Sequence, residues 1–292
     1  CGYESGFCGF WIQKELLSMG VNCVVVHSAD VPTTHKERIY KRDPLDSKKL
    51  ARMLRTGDYN RLYIPDDHSL GDRNILRTRR MLVSDLTRYK NRIKALLCFW
   101  GIRYPDHFKK STTHWSKRFI DWLQDLQLNN PGSKTALDTW IGQVNLFRET
   151  ILKINSEIKS LSREERYEKP VDLLITIPGI GMISAMTILT EIENINRFQD
   201  LDHFCSYAAL VPTSHSSGEI EINGRITKRG NKVLKTILVE GAWGAVRSDP
   251  AMLLAFRKFC GRMDKNKAII RIARKLANRI LFVLKNQLEY QN

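Results

Sequence analysis

Two apolar stripes constrain this chain more than any other feature. Leu82, Leu86, Tyr89, Ile93, Leu96 and Trp100 alternate steps of four and three, as do Leu137, Trp140, Val144, Phe147, Ile151, Ile154, Ile158 and Leu161. Heptad spacing keeps one seam of a helix facing a partner along its length. Two such seams, close in sequence, would bury each other as an antiparallel pair. The segment between them carries Trp115, Phe119, Trp122 and Leu126, and Asn129-Asn130-Pro131-Gly132 reads as a turn. An antiparallel coiled-coil arm is therefore expected over residues 69–166.

The flanks have a different texture. Residues 1–68 read as α/β. A short amphipathic helix over residues 10–19 ends at Gly20, residues 21–26 form a buried-strand run, and a basic linker at 35–42 leads to a helix from Asp43 to Leu54. Residues 61–64 are expected to form another short strand. From residue 167 the chain is mostly helical, with helices over 183–192, 233–246 and 267–288. The expected fold class is thus α/β plus mostly α, in three parts: 1–68, 69–166 and 167–292.

Composition narrows the partners. The 292 residues hold 47 Lys and Arg against 31 acids, a formal charge of +16, which favours a polyanion. The excess is clustered: residues 70–118 hold thirteen Lys or Arg against three Asp, and 257–285 hold ten against one Asp. A charged face is usually only a solvated face, but one without balancing acids points to nucleic acid. No run is long and apolar enough to span a bilayer. The six cysteines show no C-x-x-C pairing, so a zinc site or disulfide frame is not expected and the usage suits a reducing cytoplasm. Position 1 is Cys rather than Met, as expected of a fragment.

Three stretches bear on chemistry. Asp43 and Asp46 stand three apart at a helix start, so both project from one side of its first turn, with Glu4 upstream. Carboxylates from separate elements make a hard oxygen site for Mg²⁺. Helix capping explains the pair equally: Asp43 as N-cap, Pro44 in the first turn, Asp46 at the positive dipole end. Secondly, Pro178-Gly179-Ile180-Gly181 before an apolar helix resembles a helix-hairpin-helix turn. The backbone around Gly179 and Gly181 would present N–H groups to a DNA phosphate, or simply join two helices. Thirdly, Pro212 is followed by Thr213, Ser214, Ser216, Ser217 and Gly218, and then by an alternating strand, Glu219 to Ile222. Asn223-Gly224 signals a turn, with Arg225, Lys228 and Arg229 after it as candidate DNA contacts. A hydroxyl beside glycine and a cationic turn suits phosphate chemistry, although Ser-rich surface loops are common. His215, two residues before Ser217, is a weaker candidate base.

Taken together, the separated patterns resemble one family. Tyr3-Glu4-Ser5-Gly6, then Lys41-Arg42-Asp43-Pro44-Leu45-Asp46-Ser47, is similar to the second half of a RuvC-like, RNase H-like DEDD domain. Ala208-Ala209-Leu210-Val211-Pro212, Ser216-Ser217-Gly218 and Gly224-Arg225-Ile226-Thr227-Lys228-Arg229-Gly230-Asn231 resemble the serine domain of the same bridge-RNA-guided insertion-sequence transposases. The resemblance spans essentially the whole chain, and the serine string is its most specific part. It implies that Glu4, Asp43 and Asp46 hold Mg²⁺ with a fourth acid upstream of Glu4. It also implies that Ser217 is the nucleophile forming a phosphoserine link to DNA, and that a structured guide RNA and a homo-oligomer take part in a bacterial, nucleoid-associated reaction. A RuvC-like nuclease or junction resolvase in which water attacks, or a non-catalytic DNA-binding remnant, would share many of these features.

Overall fold

A computed structural model describes residues 1–32, 43–217, 220–227 and 229–291, the side chains of residues 43, 214–217, 220–223 and 225 excepted. The chain divides into two compact units, Cys1–Asp66 and Asp67–Asn292.

The first unit is a small α/β layer. Strand β1 (Gly2–Glu4) pairs in parallel with β2 (Val24–Val26), placing Glu4 opposite Val26, and helix α1 (Trp11–Ser18) lies between them in sequence. A parallel pair needs such a crossover. The run Val24-Val25-Val26 is buried throughout, as expected of β-branched residues on a covered strand. Helix α2 (Asp43–Thr56) packs Met53, Leu50 and Leu54 around Val24, Val26 and Val31. A Cβ at Gly2 would lie 2.9 Å from the Val24 carbonyl oxygen and 3.2 Å from the Leu54 methyls, so glycine lets the helix press onto the strand. The strand expected at 61–64 is reduced to one bridge, Val26 with Arg61. Pro65 and the short spacing after Gly57 leave it too little chain to pair further.

The second unit begins with the two stripes, now as α3 (Asp67–Phe99) and α5 (Pro131–Leu161), helices of 33 and 31 residues. Arg79 donates to Asn155 Oδ1 at 2.6 Å, and the rings of Tyr89 and Phe147 lie 5.5 Å apart. Rising numbers on one helix meet falling numbers on the other, so they run antiparallel. Helix α4 (Lys117–Asp125) buries Phe119, Ile120 and Leu123 against Ile93, Leu97, Leu137, Ile141 and Val144. The seam is not the one expected at its far end: Leu97 is buried, whereas Trp100 falls beyond α3 and is 43% exposed. Straight helices drift from a strict heptad, which moves the buried stripe by one position. Residues 129–132 start a helix instead of forming a free turn. The Asn130 side chain accepts from Ser133 N–H at 3.1 Å and Pro131 opens α5, because Asn and Pro serve the N-cap and first helical position as well as they serve turns.

The near ends of α3 and α5, at Leu76, Ile158 and Leu161, enter the main core. There they meet α6 (Glu168–Ile175), α7 (Met182–Ile192), α8 (Leu201–Tyr207), α9 (Lys232–Ser248), α10 (Pro250–Cys260) and α11 (Lys265–Asn286). Helix α11 buries ten residues, among them Ile269, Ile272, Ala273, Leu276 and Ile280, the face its periodicity marked out. Between α8 and α9 stands a hairpin of β3 (Pro212–Ser217) and β4 (Ile220–Ile226). No helix among the described residues is long and apolar enough to cross a membrane.

Candidate functional site

The serine stretch is a strand, not a loop. Ser214, His215, Ser216 and Ser217 pair with Asn223, Ile222, Glu221 and Ile220, so Ser217 closes β3 directly before residues 218 and 219. Gly218 and Lys228 lie outside the described residues. Asn223-Gly224 is not the hairpin turn. The register slips between Pro212 and Ser214, and β4 accommodates an extra residue there as a bulge. A Cβ on Gly224 would collide with the Thr213 hydroxyl, so the glycine serves close cross-strand approach. The Asn-Gly signal identified a glycine-requiring irregularity but assigned it to the wrong one.

What roots the hairpin is a buried polar cluster. Gly230 has φ +116°, and a Cβ there would lie 2.9 Å from the Tyr207 carbonyl oxygen and 3.0 Å from Ala209. Asn231 follows; its Oδ1 accepts from Val233 and Leu234 N–H, both at 3.0 Å, capping α9. Its Nδ2 donates to Glu191 Oε2 at 2.7 Å. Glu191, 1% exposed at the end of α7, also receives Arg77 of α3 through Nε at 2.8 Å and Nη2 at 2.9 Å. Arg73 Nε stands 3.8 Å from the same carboxylate and donates to Thr190 C=O at 2.9 Å. Tyr207 donates its hydroxyl to Glu191 C=O at 3.0 Å. Burial pushes the Glu191 carboxyl up, but hydrogen bonds from Arg77 and Asn231 and the charges of Arg77 and Arg73 outweigh it and hold the group below its ordinary value. The same pairing raises Arg77. A buried carboxylate satisfied this fully is a fixed joint, here between the arm helix, α7 and the hairpin foot. Sequence reading missed it, because Asn231 and Arg77 lie 40 and 114 residues from Glu191.

The Gly179 turn is also a packing device. Helices α6 and α7 flank it, Gly179 has φ +93°, and a Cβ would run into the Gly241 carbonyl oxygen and the Ala245 backbone of α9. Gly181 is exposed at the start of α7, which has no side-chain cap, so of the two glycines only this one stands open. Arg229 is exposed, with its backbone N–H on Thr227 Oγ1 at 3.0 Å; the Arg225 side chain is not among the described ones.

In the first unit, Glu4 ends β1 and Asp46 lies in the first turn of α2, the helix packed against that strand. Asp46 Oδ1 pairs with Lys49 Nζ at 3.2 Å. Both groups are hard oxygen donors suited to a divalent cation, and Asp43 opens the same helix. Among the described residues, however, no group of three or more His, Cys, Asp or Glu side chains is placed to hold a metal. The cysteines, all free, do not compete for that role; burial pushes the Cys205 thiol up to about 11.

Comparison with known proteins matches both ends. Residues 4–100 match a DEDD-type transposase family of IS110 elements, and residues 171–257 match the family described as Transposase IS116/IS110/IS902. Putative transposase y4qE of Sinorhizobium fredii (strain NBRC 101917 / NGR234) is 30% identical over 241 residues, which cover 82% of this chain and 57% of the relative. Putative transposase y4rJ of the same organism is 29% identical over 296 residues, covering 94% and 74%. The transposase for insertion sequence element IS1533 of Leptospira borgpetersenii is 25% identical over 252 residues, covering 83% and 69%. This chain thus spans 57% to 74% of the length of these relatives. With a DEDD-type segment that runs from β1 through α3 and a carboxy-terminal family segment that contains the rooted hairpin, the chain belongs to the IS110/IS116 family of transposases.

Proposed function

We propose that this chain cleaves and rejoins DNA at the ends of an insertion sequence, with Ser217 as the nucleophile. The observation that supports this reading is the position of Ser217. It closes β3 where that strand pairs with Ile220 of β4, on a hairpin whose foot is fixed by Gly230, Asn231 and Glu191. A serine hydroxyl is a weak nucleophile unless its surroundings activate and orient it. In the proposed step the serine oxygen bonds to phosphorus as the bond from phosphorus to one deoxyribose oxygen breaks. The serine loses its proton and the departing oxygen gains one. The phosphoserine ester preserves the bond energy for rejoining to another strand. Arg225, Lys228 and Arg229 follow in the same segment and supply cationic contacts to DNA phosphates.

Glu4, Asp43 and Asp46 would hold a divalent cation, Mg²⁺ by preference for carboxylate oxygen, which when bound polarises the phosphate. The exposed N–H groups at Gly181 and the basic arm over residues 69–166 would track phosphate backbones. That suits a structured guide RNA read by its A-form shape, in a homo-oligomer working on bacterial DNA in the cytoplasm.

The reading is tested on a denaturing gel with cognate RNA and labelled element-end DNA, with and without Mg²⁺. This chain and the same chain fused behind the opening strand of a family relative would be compared. A Mg²⁺-dependent protein–DNA adduct, abolished by Ser217→Ala, is expected. Cleaved DNA without adduct would make water the nucleophile, and binding without cleavage by either protein would overturn the enzymatic reading.

A further inference from the structure

The basic stripe of α11 ends on a cavity that the serine chemistry leaves unused. About 460 Å³ in volume, it lies between α8, α10 and α11 and is lined by, among others, Met252, Phe259, Arg271, Arg274, Lys275 and Arg279. The four cations stand at helical steps that place them on one side of α11. Two are anchored. Arg274 donates to Asp202 at 2.7 Å and to the Leu210 carbonyl at 3.4 Å. Arg279 pairs with buried Asp249, and its guanidinium lies 4.4 Å from the Tyr290 ring centre. The other two, Arg271 and Lys275, are exposed and one turn apart, and among the described residues no acidic side chain pairs with either.

We propose that this cavity takes one nucleotide of a nucleic-acid strand, its phosphate between Arg271 and Lys275 and its base against Phe259 and Met252. The volume falls in the range of small-ligand pockets. A bare anion has no use for an apolar floor, and an apolar peptide has no use for two unmatched cations at the rim. A nucleotide uses both, since base–aromatic stacking and backbone neutralisation are the two parts of single-strand binding. The Arg274 bond to Leu210 ties this wall to the segment entering β3, so the bound strand lies beside the hairpin foot. The site requires no chemistry at Ser217 and stands apart from that assignment.

The test is equilibrium binding of a short fluorescent single strand by the full chain over a salt series, with circular dichroism confirming the fold. Arg271→Ala with Lys275→Ala should weaken binding and shallow the log–log salt slope by about 0.7, the change for one phosphate that the protein no longer neutralises. Phe259→Leu, which keeps apolar bulk, should weaken binding about fivefold or more with the slope unchanged. A nucleoside monophosphate should compete better than inorganic phosphate. Weakening no greater than for Lys48→Ala with Arg52→Ala, exposed cations one turn apart on α2, would overturn the site. An inert Phe259→Leu, or equal competition by inorganic phosphate, would overturn the nucleotide and leave only an anion site. Adduct formation is not read, so failure here is separable from failure at Ser217.

Discussion

The carboxylates and the serine rest on supports of very different depth. Among the described residues of Cys1–Asp66 the buried apolar cluster consists of Val24, Val26, Val31 and Met53 with three partly buried neighbours. Helix α1 buries nothing, and Trp11 at its start is 64% exposed. In Asp67–Asn292 the hairpin grows from a core with contributions from α3 and from every helix from α5 to α11, fixed further by the Glu191 joint. Burying apolar area is the main source of stability, so the second unit should hold its geometry where the first yields. A serine that must be placed against a phosphorus atom gains from such rigidity.

That contrast can be broken by substitution. The largest effect is expected at Gly179→Ala, where a left-handed backbone and a collision with Gly241 and Ala245 coincide. A loss of about 2–5 kcal/mol is expected from strain and overpacking together, read as a lowered urea midpoint of the second unit; an unchanged midpoint would mean that the turn does not press on α9. Next, Glu191→Gln should cost about 2 kcal/mol at neutral pH, the scale of hydrogen bonds to a charged group. Because the folded carboxyl is held below its unfolded value, its stabilisation is present in full above the unfolded value of about 4.3. It fades as pH falls through the lower folded one. The melting difference from wild type should therefore shrink below about pH 4; a constant difference would make the joint steric.

Met53→Ala, costing about 2 kcal/mol at the low end for a core truncation, should expose residues 1–66 to protease while the second unit keeps its melting temperature. Simultaneous loss of both units would erase the distinction drawn between them. The smallest effect belongs to Trp11→Ser, expected within about 0.5 kcal/mol for an exposed position. A larger loss would show that α1 is covered in the working protein.

Much of this was legible from local chemistry. The α3–α5 pair followed from heptad spacing, the buried face of α11 from its periodicity, and β2 from three consecutive valines. Signals with two structural meanings misled: Asn-Pro marked a helix start read as a turn, and Asn-Gly marked a strand bulge read as a turn. Glu191 was illegible for another reason. A lone Glu in an apolar helix has no local feature that names Arg77 or Asn231, and only folding brings them together. The Gly179 turn shows the same limit, since φ freedom reads alike whether it serves a ligand or a neighbouring helix.

The most direct measurement is the site of attachment. After reaction with element-end DNA and nuclease digestion, peptide mass spectrometry should find the residual nucleotide on Ser217 alone. A nucleotide on Ser214, Ser216 or Thr213, or cleaved DNA with no modified peptide, would contradict the assignment of Ser217 as nucleophile.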